Sequence, residues 1–403
     1  MHVYARGEMI RINSLHIGLN RYLLLTFGLW PYQQSKLVQF QLVLFLSVLA
    51  TFILFQLTTF LTSQCTPDLL INVLSSALFS ITFVIKYILF CINLEVIKCL
   101  LDQLQHICNE LTDKRESNIM KQYANGAKRY TAIFTLSAIL LVFALLLYPI
   151  WPRIFDILLP MNETRPHISP LFVTEYFIDQ EKYFYLISLH TNTGFTIGVG
   201  VMLATGTMFI VYSQYACGMF RIASYRVKQA ITIEILQKNS LKNENLIYKK
   251  LIYAVDMHRK AMKFSESIIS RFKVMFSSLI IVGVICASLN FFRIFQMVSL
   301  SCDVKELSLR LIFFIIHFCY MFAANYLAQE IANHNNDVFT TVYNVQWYVT
   351  PLQIQKMILF LLQRGTKAFT MNIAGLFVGS LEGAATLLST AVSYFTVLYS
   401  MQN

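Results

Sequence analysis

The chain has 403 residues, of which 56% are hydrophobic and only 13% are charged. About a quarter of the residues in a soluble domain are charged, so this composition excludes an ordinary soluble protein and predicts a chain that crosses a membrane several times. The net charge of +11 does not predict a nucleic-acid partner, because the basic residues are not interleaved with aromatic residues.

The apolar residues are grouped in long runs. Six runs lie near 37–61, 69–92, 131–151, 190–216, 272–298 and 309–331, and a less apolar seventh covers 371–403. About 20 apolar residues make a helix long enough to cross the bilayer core, so we predict an all-α membrane protein with seven transmembrane helices. Six and eight spans are the alternatives, because the seventh run is weak. A transmembrane barrel is excluded, since it would show alternating segments of about ten residues.

The distribution of basic residues predicts the orientation. Of the 32 Lys and Arg residues, 25 fall in the N-terminal arm 1–36 and in the segments after spans two, four and six, and five fall on the other side. Basic loops stay in the cytoplasm, so the N-terminus is predicted to be cytoplasmic and the C-terminus extracellular, the reverse of a G-protein-coupled receptor. The glycosylation sequon at Asn162 falls in a loop that this topology places outside.

Three features of the first two thirds of the chain carry expectations. Lys86, near the end of the second span, is predicted to extend its ammonium group to the inner interface. Loop 152–189 is predicted to be extracellular and to fold over the outer end of the helix bundle, because it is rich in Pro and aromatic residues; a loop without fixed structure is the alternative. The basic loop 217–271 is predicted to be helical and cytoplasmic.

The last third contains two membrane-depth polar residues and a cytoplasmic helix. Arg293 and His317 lie within the fifth and sixth spans, where ionisable groups are functional candidates. Interfacial water and ordinary packing are the alternatives for these two side chains. Start and stop signals at Thr350-Pro351 and Arg364-Gly365 predict a short amphipathic helix within the segment 337–369.

The terminal segment differs from the other spans. Gly375, Gly379 and Gly383 recur every four residues, which predicts a continuous helix over 370–403 that packs closely against its neighbours. Its Ser and Thr residues favour protein or water over lipid.

Several kinds of chemistry are missing from the sequence. It contains no glycine-rich phosphate loop, metal-ligand cluster or nucleophile motif, so we predict no enzyme activity, cofactor or metal. The eight Cys residues show no redox spacing, and free thiols are favoured over a pair between Cys65 and Cys302. The DRY-type and NPxxY-type motifs of G-protein-coupled receptors are missing, and no repeated halves indicate a transporter.

Four short motifs resemble those of a known family. Val392-Ser393-Tyr394-Phe395-Thr396-Val397-Leu398 resembles the C-terminal signature of insect odorant receptors, with Ser or Thr before Tyr-Phe and a hydrophobic residue three positions after the Tyr. The stretches 258–266 and 343–347 are similar to the same family. Ser380-Leu381-Glu382-Gly383 further resembles receptors of ants, bees and wasps.

The resemblance implies a tuning subunit of an odorant-gated, non-selective cation channel in the plasma membrane of a sensory neuron. In such a channel, the subunit assembles with a shared co-receptor subunit into a tetramer. By this resemblance, residues 1–36 form a cytoplasmic arm, 37–336 the first six spans with the ligand site in their outer half, 337–369 a cytoplasmic anchor helix, and 370–403 a pore-lining helix. Val397 corresponds to the hydrophobic gate, and Ser400 and Met401 to the pore mouth. The co-receptor has Gln where this chain has Ser400.

Candidate ligand-binding residues are chosen by position, because no motif marks them. Small apolar odorants need an aromatic-rich pocket, which indicates Phe79, Phe83, Tyr148, Met202, Phe313, His317 and Tyr320, with plain core packing as the alternative for each. Expected partners are the co-receptor, a small hydrophobic odorant, the lipid bilayer and permeating monovalent and divalent cations. Rival interpretations are a gustatory receptor of the same fold, a metabotropic seven-helix receptor and a transporter.

Overall fold

A computed structural model describes residues 17–33, 35–147, 172–231, 241–300, 304–373 and 375–402. Within these ranges the protein is nearly all helical. Seven helices are long and apolar enough to cross a membrane, at Lys36–Thr62, Pro67–Ile92, Lys114–Leu147, Phe184–Ala230, Glu244–Ser299, Arg310–Asn344 and Leu381–Met401. The predicted fold class of seven transmembrane helices is therefore confirmed.

The elements follow one another in a simple order. The helices are α1 (Gly18–Thr26), α2 (Lys36–Leu57), α3 (Thr59–Thr62), α4 (Pro67–Ile92), α5 (Leu94–Glu110), α6 (Lys114–Leu147), α7 (Phe184–Ala230), α8 (Leu241–Leu300), α9 (Val304–Asn344), α10 (Leu352–Gly365) and α11 (Leu381–Gln402). A 3₁₀ turn at Trp347–Val349 precedes α10, and a two-stranded hairpin, β1 (Met371–Ile373) and β2 (Phe377–Gly379), precedes α11.

Helix α7 forms the centre of the bundle. It is 47 residues long and buried along most of its length, and it packs against α6, α8 and α9. Several of its glycines lie where aromatic side chains approach: a Cβ atom at Gly194 would lie 2.8 Å from the Phe52 ring, and one at Gly198 would overlap the Phe83 ring. The small residues of α7 thus make room for the aromatic rings of α2 and α4.

The predicted cytoplasmic ends of the long helices form a second core. A buried ion pair joins α6 to α7 there, because Arg226 donates from Nε to Glu116 Oε1 at 2.6 Å and from a terminal nitrogen to Glu116 Oε2 at 2.7 Å. Arg226 also donates to the Tyr253 carbonyl of α8 at 3.0 Å. Helix α10 packs its buried Ile354 and Ile358 into the apolar cluster beside this pair.

The segment 172–183 closes the opposite end of the bundle. Its backbone bonds to α2, since the Glu175 N–H donates to the Phe55 carbonyl at 2.8 Å. Burial raises the pKa of Tyr176 to about 12, so this phenol stays protonated at neutral pH; its oxygen lies 2.7 Å from His190 Nδ1. This part of loop 152–189 folds over the bundle, whereas residues 148–171, with Tyr148 and Asn162, lie outside the described residues. Cys65 is a free thiol, and Cys302 also lies outside them.

The prediction of one continuous helix over 370–403 was wrong at its start. Residues 371–379 form the antiparallel hairpin, in which Met371 pairs with Gly379, and the helix begins only at Leu381. Gly375 lies in the turn with a φ of +73°, a conformation that glycine adopts at little cost. The Asn372 side chain fixes the turn by accepting the Gly375 N–H at 2.8 Å. The four-residue glycine spacing was therefore not a helical pattern.

Candidate ligand cavity and terminal helix

A cavity of about 200 Å³ lies between α4, α7, α8, α9, the β-hairpin and α11. Its walls are mostly apolar and aromatic, with only a few polar side chains. Pockets of this composition bind small apolar molecules. A second cavity, of about 20 Å³, adjoins it and shares Phe79 and His317 as lining residues.

Most of the predicted ligand residues meet at these cavities. Phe313 lines the smaller cavity, and Tyr148 lies outside the described residues. The larger cavity is lined by Phe79, Phe83, Met202, His317 and Tyr320. Their role in ligand binding stays a prediction.

The aromatic walls are ordered by contacts between ring edges and faces. Phe79 makes such contacts with Phe83 at 5.1 Å and with Phe313 at 5.7 Å between ring centroids. Phe172, from the segment 172–183, meets Phe52 edge to face at 5.1 Å and also lines the smaller cavity. Such pairs are favoured over parallel stacking by the charge distribution of the rings. Sequence reasoning did not select Phe172, since a loop residue carries no helical pattern.

His317 is the main titratable side chain on the cavity wall, and its ring is held by α8. Nε2 lies 3.2 Å from the Gly283 carbonyl oxygen, so this nitrogen carries the proton that bonds to the carbonyl. Nδ1 of the neutral ring then remains an acceptor. A Cβ atom at residue 283 would lie 3.3 Å from Nε2, so a side chain there would require the His317 ring to shift by a few tenths of an ångström.

The larger cavity lies deeper than the outer half of the bundle, where we expected the ligand. Phe79 and Phe83 lie about halfway along the 26-residue helix α4. Tyr320 lies about 24 Å along α9 from its start at Val304, at 1.5 Å per residue. The smaller cavity, with Asn290 and Arg310 in its lining, is nearer the ends that are predicted to be extracellular.

The hairpin and α11 form one wall of the larger cavity. Ile373, Phe377 and Gly379 of the hairpin and Leu387 of α11 line it. Two side chains of α9 hold the start of α11 beside this wall. Asn325 Oδ1 accepts the Ser380 N–H at 3.2 Å, and Gln329 Oε1 accepts the Leu381 N–H at 3.4 Å. Asn325 also lines the cavity, so a single residue contacts both the cavity and the terminal helix.

Helix α11 has two different faces. Its buried face includes Ala384, and it packs Leu387 and Ala391 against Val284 and Ala287 of α8. On the other face, exposed residues recur every three or four positions, as expected for one side of a helix: Glu382, Thr386, Ser389, Ser393, Val397 and Ser400.

The residues assigned to the gate and the pore mouth lie on this exposed side. Val397 is 54% exposed and Met401 is 79% exposed. The Ser400 hydroxyl donates to the Val397 carbonyl at 2.9 Å. Val397 is thus an apolar residue within a row that is otherwise mainly polar.

Lys86 is not at the interface, and the prediction that its ammonium group extends there was wrong. The residue is fully buried, and its Nζ lies 4.2 Å from the centroid of the Tyr320 ring. The ammonium group lies instead between Gly206 of α7 and the Tyr320 ring of α9. Across the described ranges, no group of three or more His, Cys, Asp or Glu side chains is placed to hold a metal ion.

Known proteins share both sequence and fold with this chain. A family model described as 7tm Odorant receptor matches residues 66–392. Odorant receptor 22c of Drosophila melanogaster is 24% identical over 253 residues, which cover 60% of this chain and 56% of that protein. The match therefore spans little more than half the length of this relative.

Two solved structures share the fold. The insect olfactory receptor OR5 from Machilis hrabei in complex with eugenol superimposes with a TM-score of 0.72 at 14% identity, over 96% of this chain and 97% of that chain. A second structure of the same receptor gives a TM-score of 0.65 at 14% identity, over 98% of each chain.

Proposed function

Because this chain belongs to the 7tm odorant receptor family, whose model matches residues 66–392, we propose that it is an odorant-gated, non-selective cation channel subunit. The family is one of receptors, not of enzymes, and its match favours an odorant receptor over a gustatory receptor. The observation that carries the proposal is the cavity wall that α11 and its hairpin share with the predicted ligand residues. A ligand in this cavity touches the helix assigned to the pore.

The ligand is a small hydrophobic odorant. An apolar cavity of about 150 Å³ in another protein binds benzene, and the cavity of about 200 Å³ here is larger. The Machilis hrabei receptor of the same fold was solved with eugenol, a small organic molecule. The His317 Nδ1 acceptor and the Asn325 amide supply the few polar contacts that orient such a ligand.

Opening follows from unequal binding to two states. A ligand shifts a closed channel towards the open state only by as much as it prefers the open state. Contact with Phe377 of the hairpin and Leu387 of α11 gives the ligand a means to distinguish two positions of α11. Val397 forms the closed gate, because an apolar constriction excludes water and therefore ions.

The exposed faces support assembly into a tetramer with a co-receptor subunit. Ser and Thr residues on a membrane-spanning face are unfavourable in lipid and normally face protein or water, which supports a central pore lined by α11. Ser400 would meet the Gln of the co-receptor at the pore mouth. Helix α10 exposes Leu352, Leu359 and Phe360, which supports its role as an anchor between subunits.

The channel lies in the plasma membrane, with the arm 1–36 in the cytoplasm and the C-terminus outside. The distribution of basic residues supports this orientation. Asn162 is then accessible to glycosylation, and monovalent and divalent cations pass through the pore.

Whole-cell current tests the proposal. Cells that express this chain with the co-receptor should give fast currents during application of a panel of volatile compounds while G proteins are blocked, and cells with either subunit alone serve as the control. Slow signals that the blockade abolishes would indicate a metabotropic receptor instead. Saturable uptake of a compound without single-channel events would indicate a transporter.

A further inference from the structure

Lys86 is a buried basic residue close to the larger cavity. Its side chain is 0% exposed, and among the described residues Nζ has no hydrogen-bond partner. Its terminal nitrogen lies over the Tyr320 ring, 4.2 Å from the ring centroid. Ionised groups at membrane depth are costly and are normally paired with an opposite charge.

Lys86 lies directly behind the wall of the larger cavity. Thr82, one helical turn earlier on the same face of α4, lines the cavity, and so does Tyr320. Gly206 of α7 is the residue that faces both groups: a Cβ atom there would make van der Waals contact with Lys86 Nζ at 3.7 Å and with the Tyr320 hydroxyl at 3.9 Å. Two hydrogen-bond donors therefore lie close to one point beside Gly206, and one of them belongs to Tyr320, which lines the cavity.

The cavity wall provides no anion for this ammonium group. The described residues that line the two cavities include no Asp or Glu. We propose that Lys86 and Tyr320 form a carboxylate-recognition site at one end of the cavity, so that its ligands include carboxylic acids with an apolar chain. The inference rests on the proposed function, because it specifies the ligand class of the same cavity.

The alkyl chain and the carboxylate of the bound acid would contact different parts of the site. The chain contacts the apolar wall formed by Phe83, Met202 and Leu279. The carboxylate passes the edge of the Tyr320 ring, accepts hydrogen bonds from the ammonium group and the phenol, and supplies the missing charge. Charge-assisted hydrogen bonds of this kind are stronger than bonds between neutral groups.

Direct binding tests this site without the need for channel opening. The full-length chain in lipid nanodiscs is titrated with octanoic acid and with octan-1-ol, which share the chain length but not the charge. Lys86→Met should weaken octanoic acid binding by about tenfold or more, because a buried charge pair loses one partner, and should change octan-1-ol binding by less than about threefold. Tyr320→Phe, which keeps the ring, should cause a smaller loss that is again specific to the acid.

Lys98→Met is the matched control. Lys98 also contacts an aromatic ring, that of Tyr32 at 5.8 Å, but it does not line or adjoin the cavity, so both ligands should bind this variant as they bind the wild type. Lys86→Met should fold at least as stably as the wild type, because it removes a buried nitrogen that has no hydrogen-bond partner among the described residues. Equal loss of both ligands in Lys86→Met, or binding of octan-1-ol without octanoic acid to the wild type, would overturn the inference. Failure of both ligands and of every other volatile compound to bind the wild type would contradict the proposed function itself.

Discussion

Asn325 connects the cavity to the terminal helix through a single amide group. Its oxygen accepts the Ser380 N–H at the start of α11, and its nitrogen donates to the Met321 carbonyl at 3.0 Å within α9. Both groups of the amide are therefore used, and the side chain cannot rotate without losing one of these bonds. A ligand that moves Asn325 also moves the point where α11 is held.

Replacing Asn325 with Ala should weaken the connection between the cavity and helix α11. The lost hydrogen bond should lower the free energy of unfolding by about 1 kcal/mol, and higher odorant concentrations should be needed for half-maximal current. Thermal unfolding and dose–response currents measure the two effects. Thr340→Ala, at an exposed position on the same helix, is the control, because the Thr340 hydroxyl donates to the Asn336 carbonyl within that helix. It should leave the unfolding temperature and the dose–response curve nearly unchanged. An unchanged dose–response curve in Asn325→Ala would contradict the coupling.

For single residues, the sequence predicted the residue type and the depth in the membrane better than the direction in which a side chain points. Phe79 and His317 were chosen by position, and both line the cavity. Lys86 was assigned to the interface because a Lys near a helix end can extend towards water. The direction of a side chain depends on which helices surround it, and no sequence pattern within α4 identifies those neighbours.

The long helices are joined by electrostatic pairs at the ends predicted to be cytoplasmic, and these pairs differ in burial. The Glu116 and Arg226 side chains are 9% and 19% exposed. The pair between Glu110 and Lys260 is similar in length, at 2.7 Å, but its side chains are 40% and 34% exposed. The two pairs therefore form a matched comparison within one protein.

Glu116→Gln should destabilise the protein by about 3–5 kcal/mol, because it leaves the Arg226 charge buried without its partner. Glu110→Gln should cost only about 0–1 kcal/mol, as for a surface ion pair. Urea unfolding of the two variants in the same detergent measures the difference. Equal destabilisation would show that the Glu116 pair does not hold α6 against α7.

The hairpin shows why the spacing of the glycines alone could not give the start of the terminal helix. Gly375, Gly379 and Gly383 fit a helical period, but the three residues have different local structures. Gly375 is in a turn, Gly379 ends a strand, and Gly383 is in the first turn of α11, where its N–H donates to Ser380 Oγ at 2.9 Å. The Asn372 to Gly375 spacing is typical of a turn, and it was the more informative signal. Spans of 20 or more apolar residues were easier to predict, since their length alone requires a helix in lipid.

On the scale of the whole molecule, the surface divides into an apolar belt and a mainly polar row along α11. Large apolar side chains on α2 and α6, such as Phe40, Leu136 and Phe143, are 60% or more exposed, as suits helices that face lipid. The α11 row is different. The Thr386 hydroxyl donates to the Glu382 carbonyl and the Ser393 hydroxyl to the Ser389 carbonyl, each one turn earlier in the same helix. Such bonds reduce the cost of polar side chains in a membrane but leave the hydroxyl oxygens able to contact water in a pore.

The central claim is that a ligand in the cavity opens a gate at Val397 on α11. The most direct test uses two variants, Ser393→Cys and Ser400→Cys, each co-expressed with the co-receptor. A charged thiol reagent is applied from outside the cell, and its rate of reaction with each variant is measured in the presence and in the absence of odorant. The wild type measures the background from exposed thiols such as Cys65. Ser400 lies between Val397 and the C-terminal end of α11, which is predicted to be outside the cell. Ser393 lies one turn away on the inner side of Val397. We expect Ser400→Cys to react in both conditions and Ser393→Cys to react only with odorant. Equal reaction rates for Ser393→Cys with and without odorant, while the current depends on odorant, would contradict a gate at Val397.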